Sequence, residues 1–275
     1  MTDEATAFVP GHVTGFFSAH PDDDPTKAGS RGAGLTLTDG VEVTVRPADD
    51  PAVVLDGDRI EIEPVTTVLE TLEAPARVEA ESDLPLGAGF GVSGALALGT
   101  ALAANRVFDR RLSENELVTI AHGAEVQAGT GLGDVVAQAR GGVPIRLEPG
   151  APGHGKLDAV PARARVEYVS FGDLSTAEVL SGDTGTLSRA GKRALSRVVR
   201  EPTLASFVFA SRRFAREADL LTPAVGEALA EVAAADGQAS MAMLGDTVFA
   251  LGTGLSDAGY EPSVCSTHPA GAVLR

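Results

Sequence analysis

The sequence of 275 residues is 44% hydrophobic and 22% charged, a composition typical of a folded protein rather than of a disordered chain. Its length allows one large domain or two medium domains that share a cleft. The formal net charge of −16 argues against binding to nucleic acid, because that function needs a basic patch to meet the phosphate backbone.

Acidic residues are spread along the chain instead of forming one tail. They could form a surface for a basic partner, or adapt the whole surface to high salt, where self-repulsion is screened; the spread favours salt adaptation. The N-terminus lacks the features of a signal peptide and no apolar run is long enough to cross a membrane, so we expect a cytoplasmic protein without membrane contact. Cys265 is the single cysteine, which excludes an intramolecular disulfide.

The first 80 residues predict short strands separated by turns. Pro10-Gly11 is expected to end the first strand, and the polar, glycine-rich residues 18–34 are expected to form a loop. Asp39-Gly40 and Asp56-Gly57-Asp58 predict the turns of two hairpins. The predicted strands are Ala5–Val9, Gly34–Thr38, Val41–Val45, Val53–Leu55, Ile60–Ile62 and Ala76–Ala80.

Helices are predicted in the middle of the chain. A run of small residues favours a helix over Ser93–Val107. Ser113, with Glu116 three residues later, forms a capping box that starts a second helix, which runs to about Ala128. A third helical segment, Asp134–Ala139, is closed by two glycines.

Residues 148–162 are rich in proline and glycine and predict a domain boundary. Beyond them, strands and helices interleave without regular βαβ alternation, which favours an α+β protein of two domains over a doubly wound sheet. The remaining predicted strands are 143–147, 164–171, 239–244, 247–253 and 263–266, and the remaining predicted helices are 175–181, 186–199, 203–219 and 223–235.

The run from Pro85 to Ala95 predicts a phosphate-binding loop. Alternate glycines let the backbone approach an anion, and successive N–H groups can form an anion-binding nest at the start of the following helix. Ser93 carries a hydroxyl suited to Mg²⁺ on the bridged phosphates. The run lacks the Lys-Ser/Thr of a Walker loop and the βαβ context of a dinucleotide-binding motif. A flexible glycine loop that caps a helix remains the alternative.

Three segments resemble the motifs of the GHMP kinase superfamily, named after galactokinase and the homoserine, mevalonate and phosphomevalonate kinases. The run 85–95 resembles its second motif, 9–13 its N-terminal Pro-Gly motif, and 131–134 with Gly141-Gly142 its catalytic segment. The likeness implies a two-domain α+β GHMP kinase fold, with an N-terminal ATP-binding domain at 1–155 and a ferredoxin-like C-terminal domain at 156–275. A homodimer is suggested by the resemblance alone.

A closer resemblance, to the pantoate kinase family of archaea, spans the whole chain. It implies ATP-dependent phosphorylation of pantoate to 4-phosphopantoate, a step of coenzyme A synthesis. Other GHMP kinases, acting on mevalonate, homoserine or shikimate, and a non-catalytic metabolite-binding protein remain alternatives. The segments that carry this resemblance are FVPGHVTGFF (8–17), GAGFGVSGALALG (87–99), AHGAEVQAGTGLGDVVAQ (121–138) and SMAMLGDTVFALG (240–252).

Within this resemblance, Asp134 is the predicted catalytic base, because a carboxylate held between a glycine turn and a helix can meet an acceptor hydroxyl. A helix N-cap is its alternative role. Ser93 and Glu125 are the predicted Mg²⁺ ligands, and Glu125 could instead be a solvated helix carboxylate. The predicted contacts to ATP are Pro85, Gly87, Ala88, Gly89, Gly91, Val92, Ser93 and Gly94.

Pantoate carries a carboxylate, so a cation is expected to meet it. Arg146 is the first candidate, with Ser30 and Arg31 as further ones. Thr176 could donate to the substrate or cap a helix. Two histidines complete the predicted substrate contacts: His12, which stands where many relatives have Lys or Arg, and His122, for which a structural role is equally open.

Overall fold

A computed structural model describes residues 3–172 and 184–275. The described strands are β1 Ala5–His20, β2 Gly29–Pro47, β3 Ala52–Leu55, β4 Asp58–Ile60, β5 Ala76–Ser82, β6 Val143–Glu148, β7 Lys156–Val160, β8 Arg165–Gly172, β9 Gln238–Ala242, β10 Asp246–Leu251, β11 Ser263–Ser266 and β12 Val273–Leu274. The described helices are α1 Glu63–Thr71, α2 Val92–Val107, α3 Glu114–Ala128, α4 Asp134–Arg140, α5 Thr184–Arg200, α6 Leu204–Glu217, α7 Pro223–Ala234 and α8 Gly254–Asp257.

The strands form two sheets, which confirms the predicted α+β fold. The first sheet follows the order β12-β1-β2-β5-β3-β4, and β6 and β7 extend it from the first part of β2. The second sheet is antiparallel, in the order β11-β8-β10-β9. β7 lies inside the glycine- and proline-rich segment that predicted a boundary, and it pairs with β6 of the first sheet.

The prediction that Pro10-Gly11 ends the first strand was wrong. β1 continues to His20, and its register against β2 shifts between Pro10 and His12. A bulge of this kind lets a residue without an N–H group remain in a strand. Most of the predicted loop 18–34 is therefore strand, and only residues 21–28 connect β1 to β2.

The predicted hairpin at Asp39-Gly40 was also wrong, because β2 runs straight through both residues. A Cβ on Gly40 would lie 2.4 Å from the carbonyl oxygen of Val9 and 2.8 Å from the ring of Phe8. Glycine at this position therefore permits a close approach of β1 to β2 and not a turn. The hairpin at residues 56–58 was confirmed, between β3 and β4.

Helix α2 lies in the hydrophobic core, packed against β1 and β2. Twelve of its sixteen residues are buried, as its small, apolar sequence requires. Gly99 lets α2 approach the sheet closely, since a Cβ there would lie 2.6 Å from a methyl group of Val43. This packing directs the N-terminus of α2 toward the glycine-rich loop.

Most other predicted elements were confirmed, including the capping box of α3, in which Ser113 and Glu116 bond each other's backbone N–H groups. The sequence analysis missed α1, α8, β7 and β12, and the predicted helix 175–181 lies outside the described residues. Within the described part of the chain, no helix is long and apolar enough to span a membrane.

Candidate active site

A cavity of about 380 Å³ lies between the glycine-rich loop, the α3–α4 connection and the β9–β10 turn. Strands of the first sheet contribute to it, and the second sheet contributes the turn between two of its strands. Its lining includes Ser30, Gly87, Gly89, Gly91, Val92, Ser93, Gly94, Glu125, Gly131, Asp134, Arg146, Met243 and Leu244.

The glycine-rich loop needs glycine for its backbone conformation. Gly87, Gly89 and Gly91 have φ values of +87°, +87° and +66°, which side chains disfavour. Gly91 is the N-cap of α2, so the positive end of the helix dipole faces the cavity beside the loop. The predicted geometry of an anion-binding loop is present, whereas Pro85 and Ala88 are not among the residues that line this cavity in the described chain.

Asp134 is the first residue of α4, and Gly133 is the N-cap, so the carboxylate is not a capping group. His12 Nδ1–H donates to Asp134 Oδ1 over 2.7 Å, joining β1 to α4. Burial raises the pKa of Asp134, but the His12 hydrogen bond and the nearby charges outweigh it and bring this pKa below the ordinary value. Asp134 is therefore ionised at neutral pH.

His12 is fully buried, and burial lowers its pKa despite the Asp134 carboxylate. We assign the proton of the neutral ring to Nδ1, because the acceptor is an ionised carboxylate. Nε2 has no partner among the described residues and faces Gly34, where a Cβ would lie 2.2 Å away. The hydrogen bond to Asp134 therefore leaves Nε2 as the unprotonated nitrogen of the ring.

Ser93 and Glu125 meet across the cavity, where Ser93 Oγ donates to Glu125 Oε1 over 2.5 Å. Glu125 is 3% exposed, so its alternative role as a solvated carboxylate was wrong. Burial raises the pKa of Glu125 to about 7, and the Asp134 charge adds to the effect. Gly131 separates the two carboxylates, since a Cβ there would lie 2.4 Å from Glu125 and 3.5 Å from Asp134.

Arg146 and Ser30 form the cationic side of the cavity. Arg146 is 2% exposed, and its Nε and Nη1 have no hydrogen-bond partner within the described part of the chain. Ser30 Oγ donates to the Leu132 carbonyl over 3.1 Å. Gly133 lets both side chains approach, because a Cβ there would lie 2.7 Å from Arg146 Nε and 2.8 Å from Ser30 Oγ.

The other predicted contacts lie elsewhere. Arg31 follows Ser30 in β2, so it points to the opposite face of the sheet. His122 is buried in α3, and its Nε2–H donates to the Ala28 carbonyl over 2.9 Å, a contact that supports the structural role. Thr176 lies outside the described residues.

Sequence reasoning missed the contribution of the β9–β10 turn. Met243 and Leu244 line the cavity, and Leu244 has a φ of +66°, which is rare for a large side chain. Gly245 rests on the loop, since a Cβ there would lie 2.1 Å from the Ala88 carbonyl oxygen. The sequence feature that could have pointed to this contribution was the turn Gly245-Asp246 between two predicted strands.

A second cavity, of about 850 Å³, opens between α1 and the β3–β4 hairpin. Ile62 lines both cavities, so the two lie side by side. The second cavity was not predicted, because the sequence analysis assigned no helix to residues 63–71.

The hydroxyl of Ser93 and the carboxylates of Glu125 and Asp134 are hard oxygen donors, which suit Mg²⁺. Among the described residues, no group of three or more His, Cys, Asp or Glu side chains could hold a metal ion. A site of one hydroxyl and one carboxylate fits Mg²⁺, which keeps water and substrate phosphates as its other ligands.

Residues 63–142 match the family model of the GHMP kinases N terminal domain. The chain is 34% identical to a pantoate kinase of Methanospirillum hungatei over 90% of this chain and 87% of the relative. It is 36% identical to a pantoate kinase of Thermococcus kodakarensis over 89% of this chain and 86% of the relative. A solved structure described as a phosphotransferase related to the CoA biosynthesis pathway superimposes with a TM-score of 0.88, at 30% identity, over 99% of this chain and 98% of the other.

The fold and the glycine-loop cavity are those of an ATP-dependent small-molecule kinase. The identities above extend over most of each chain, well beyond the N-terminal domain. The chain belongs to the pantoate kinase family of the GHMP kinases.

Proposed function

We propose that this protein transfers the γ-phosphate of MgATP to the C4 hydroxyl of pantoate, which yields 4-phosphopantoate and ADP. The observation that carries the proposal is that one cavity combines a glycine-rich anion loop, an ionised Asp134 and a buried Arg146 whose Nε and Nη1 have no partner among the described residues. The names of the relatives, pantoate kinases in three archaea, support the choice of acceptor.

Arg146 is the proposed partner of the pantoate carboxylate. A buried guanidinium with free N–H groups is costly unless an anion binds it, and a carboxylate matches its planar donors. Ser30 approaches the same side of Gly133, and since its proton goes to the Leu132 carbonyl, its oxygen can accept a hydrogen bond from a substrate hydroxyl. The roles of His122, Arg31 and Thr176 toward pantoate stay predictions.

Asp134 is proposed to orient the acceptor hydroxyl and take its proton as the oxygen–phosphorus bond forms and the bond to the ADP oxygen breaks. Because the transition state of phosphoryl transfer is loose, positioning contributes more than strong basicity, and a carboxylate with a lowered pKa is sufficient. The hydrogen bond from His12 holds this carboxylate in place.

Ser93 and Glu125 are the proposed protein ligands of Mg²⁺. When bound, the ion supplies neutralisation of the phosphate charge. Burial raises the pKa of Glu125, and a divalent cation bound beside the carboxylate would favour its ionised form. The second cavity, next to Ile62, is proposed to hold the adenosine half of ATP.

The test is MgATP turnover at high KCl with pantoate, pantothenate, mevalonate, homoserine and shikimate as separate acceptors. Turnover with pantoate alone is the expected result. Turnover with another acceptor would retain the kinase and reject pantoate. A folded sample without turnover on any of them would contradict the proposal and favour a metabolite-binding protein.

A further inference from the structure

The carbonyl oxygens of the glycine-rich loop are held from outside the loop. Thr247 Oγ1–H donates to the Ala88 carbonyl over 2.9 Å. The His12 backbone N–H donates to the Phe90 carbonyl over 2.9 Å. Gln138 Nε2–H donates to the Gly91 carbonyl, also over 2.9 Å. Three separate elements, β10, β1 and α4, therefore fix one short loop.

These bonds determine where the loop presents its N–H groups. In the described part of the chain, none of the three donor residues lines the cavity. The three carbonyl dipoles are therefore directed away from the cavity. Carbonyls turned away leave the intervening N–H groups to face an anion, which is the arrangement of an anion-binding nest.

Both side-chain donors are shielded from water, which strengthens their hydrogen bonds. Gln138 and Thr247 are 0% exposed, so water does not compete for their hydrogen bonds. Ser170 Oγ lies 2.8 Å from Thr247 Oγ1. Because Thr247 gives its proton to Ala88, Ser170 donates to Thr247 and fixes the direction of that hydroxyl.

We propose that Gln138 and Thr247 are positioning residues for ATP, which hold the glycine-rich loop in its phosphate-binding shape without touching the nucleotide. The proposal rests on the proposed kinase function. It makes the binding of ATP phosphates by the N-terminal half dependent on a threonine in the second sheet. Neither residue belongs to the glycine-rich loop itself.

The variants Thr247→Val and Gln138→Met remove each donor at similar volume. We expect the KM for ATP and the Kd of the magnesium complex of AMPPCP to rise by roughly fivefold to tenfold in each variant. The KM for pantoate should stay unchanged, because the hydrogen bonds of Gln138 and Thr247 go to the glycine-rich loop and not to Arg146 or Ser30. Thr247→Ser, which keeps the hydroxyl, should restore the wild-type values.

Ser170→Ala provides a graded comparison, since it removes the bond that orients the Thr247 hydroxyl and leaves the donor to Ala88 in place. Its KM for ATP should rise by less than that of Thr247→Val. Kinetics at varied ATP and at varied pantoate, with calorimetry of AMPPCP binding, give the comparison. Circular dichroism and thermal unfolding verify that each variant is folded. If one of the two donor variants does not fold, the other donor variant provides the test.

An unchanged KM for ATP in both donor variants, with an active wild type, would overturn this inference and leave the kinase function standing. Equal increases in the KM values for ATP and pantoate would also overturn it, since that result indicates general damage. A wild-type protein that binds no AMPPCP would overturn both the inference and the proposed function.

Discussion

The carboxylates of the site have opposite electrostatic environments. Asp134 accepts a hydrogen bond from His12, and its pKa is below the ordinary value. Glu125 is more deeply buried, with a hydroxyl as its partner, and its pKa is raised to about 7. The two carboxylates of one cavity therefore differ in protonation: Asp134 is ionised at neutral pH, whereas burial favours the protonated form of Glu125.

Asp134→Asn should keep the hydrogen bond from His12 and remove the proton acceptor. We expect kcat to fall by roughly 100-fold or more, with the affinity for AMPPCP unchanged, because the glycine-rich loop is intact. Steady-state kinetics and calorimetry measure the two quantities. Asp158→Asn, at an exposed position of β7, is the charge-matched control. Near-normal turnover of Asp134→Asn would contradict the proposed role of Asp134 as proton acceptor.

Glu125→Gln should be inactive yet more stable than the wild type at pH 8. The folded-state pKa of Glu125, about 7, lies above the unfolded value of 4.5, so the folded protein binds more protons between these values and loses stability as pH rises through them. The ionised, buried Glu125 costs about 3 kcal/mol above pH 7 without a cation. In urea unfolding without Mg²⁺, the free energy of unfolding of Glu125→Gln should exceed that of the wild type at pH 8 and equal it at pH 4.5. The same difference at both pH values would contradict this account.

At the scale of single elements, the reason for a glycine depends on what packs against it. Gly40 follows Asp39 in a typical turn pair, yet it lies within a strand because β1 approaches it closely. Two glycines in helices differ in whether another element approaches them closely. Gly191 in α5 lies against β1, with a Cβ position 1.8 Å from the Phe17 carbonyl oxygen, whereas a Cβ on Gly226 in α7 would meet none of the described residues within 4 Å.

Alanine at these two helical positions should therefore have opposite effects. Gly226→Ala should stabilise the protein by about 0.5–1 kcal/mol, because alanine restricts the unfolded chain and favours a helix. Gly191→Ala should destabilise it by about 1–3 kcal/mol, because α5 must move away from β1. Denaturant unfolding of both variants measures the difference. Destabilisation by Gly226→Ala or stabilisation by Gly191→Ala would contradict the packing described here.

At the scale of the whole molecule, the two sheets are linked by side chains as well as by the chain. The Tyr168 hydroxyl in β8 donates to Asp39 in β2 over 3.0 Å, and the Tyr168 ring packs edge-on against Phe90 of the glycine-rich loop at 4.8 Å. The C-terminal β12 returns to the first sheet and pairs with β1. Phe90 also lines the cavity, so the Tyr168 ring supports the cavity wall from behind.

Tyr168→Phe should keep the ring contact and remove the bond between the sheets. We expect a loss of about 1 kcal/mol in the free energy of unfolding, because a half-buried Asp39 loses its donor. Tyr260→Phe, which removes a bond to the exposed Glu231, should cost at most about 0.5 kcal/mol. Guanidinium unfolding of the two variants tests the difference. Equal losses in the free energy of unfolding would contradict the stabilising bond between the sheets.

The sequence by itself determined the α+β class, the glycine-rich loop, and Ser93, Glu125, Asp134 and Arg146 as candidates, because these depend on local motifs and residue chemistry. Only the tertiary structure decided that His12 lies on Asp134, 122 residues away, and that Gly40 lies in a strand. It also decided that Thr247 of the second sheet holds the Ala88 carbonyl. These features depend on contacts between residues distant in the chain, and local pattern carries no information about which distant backbone will approach.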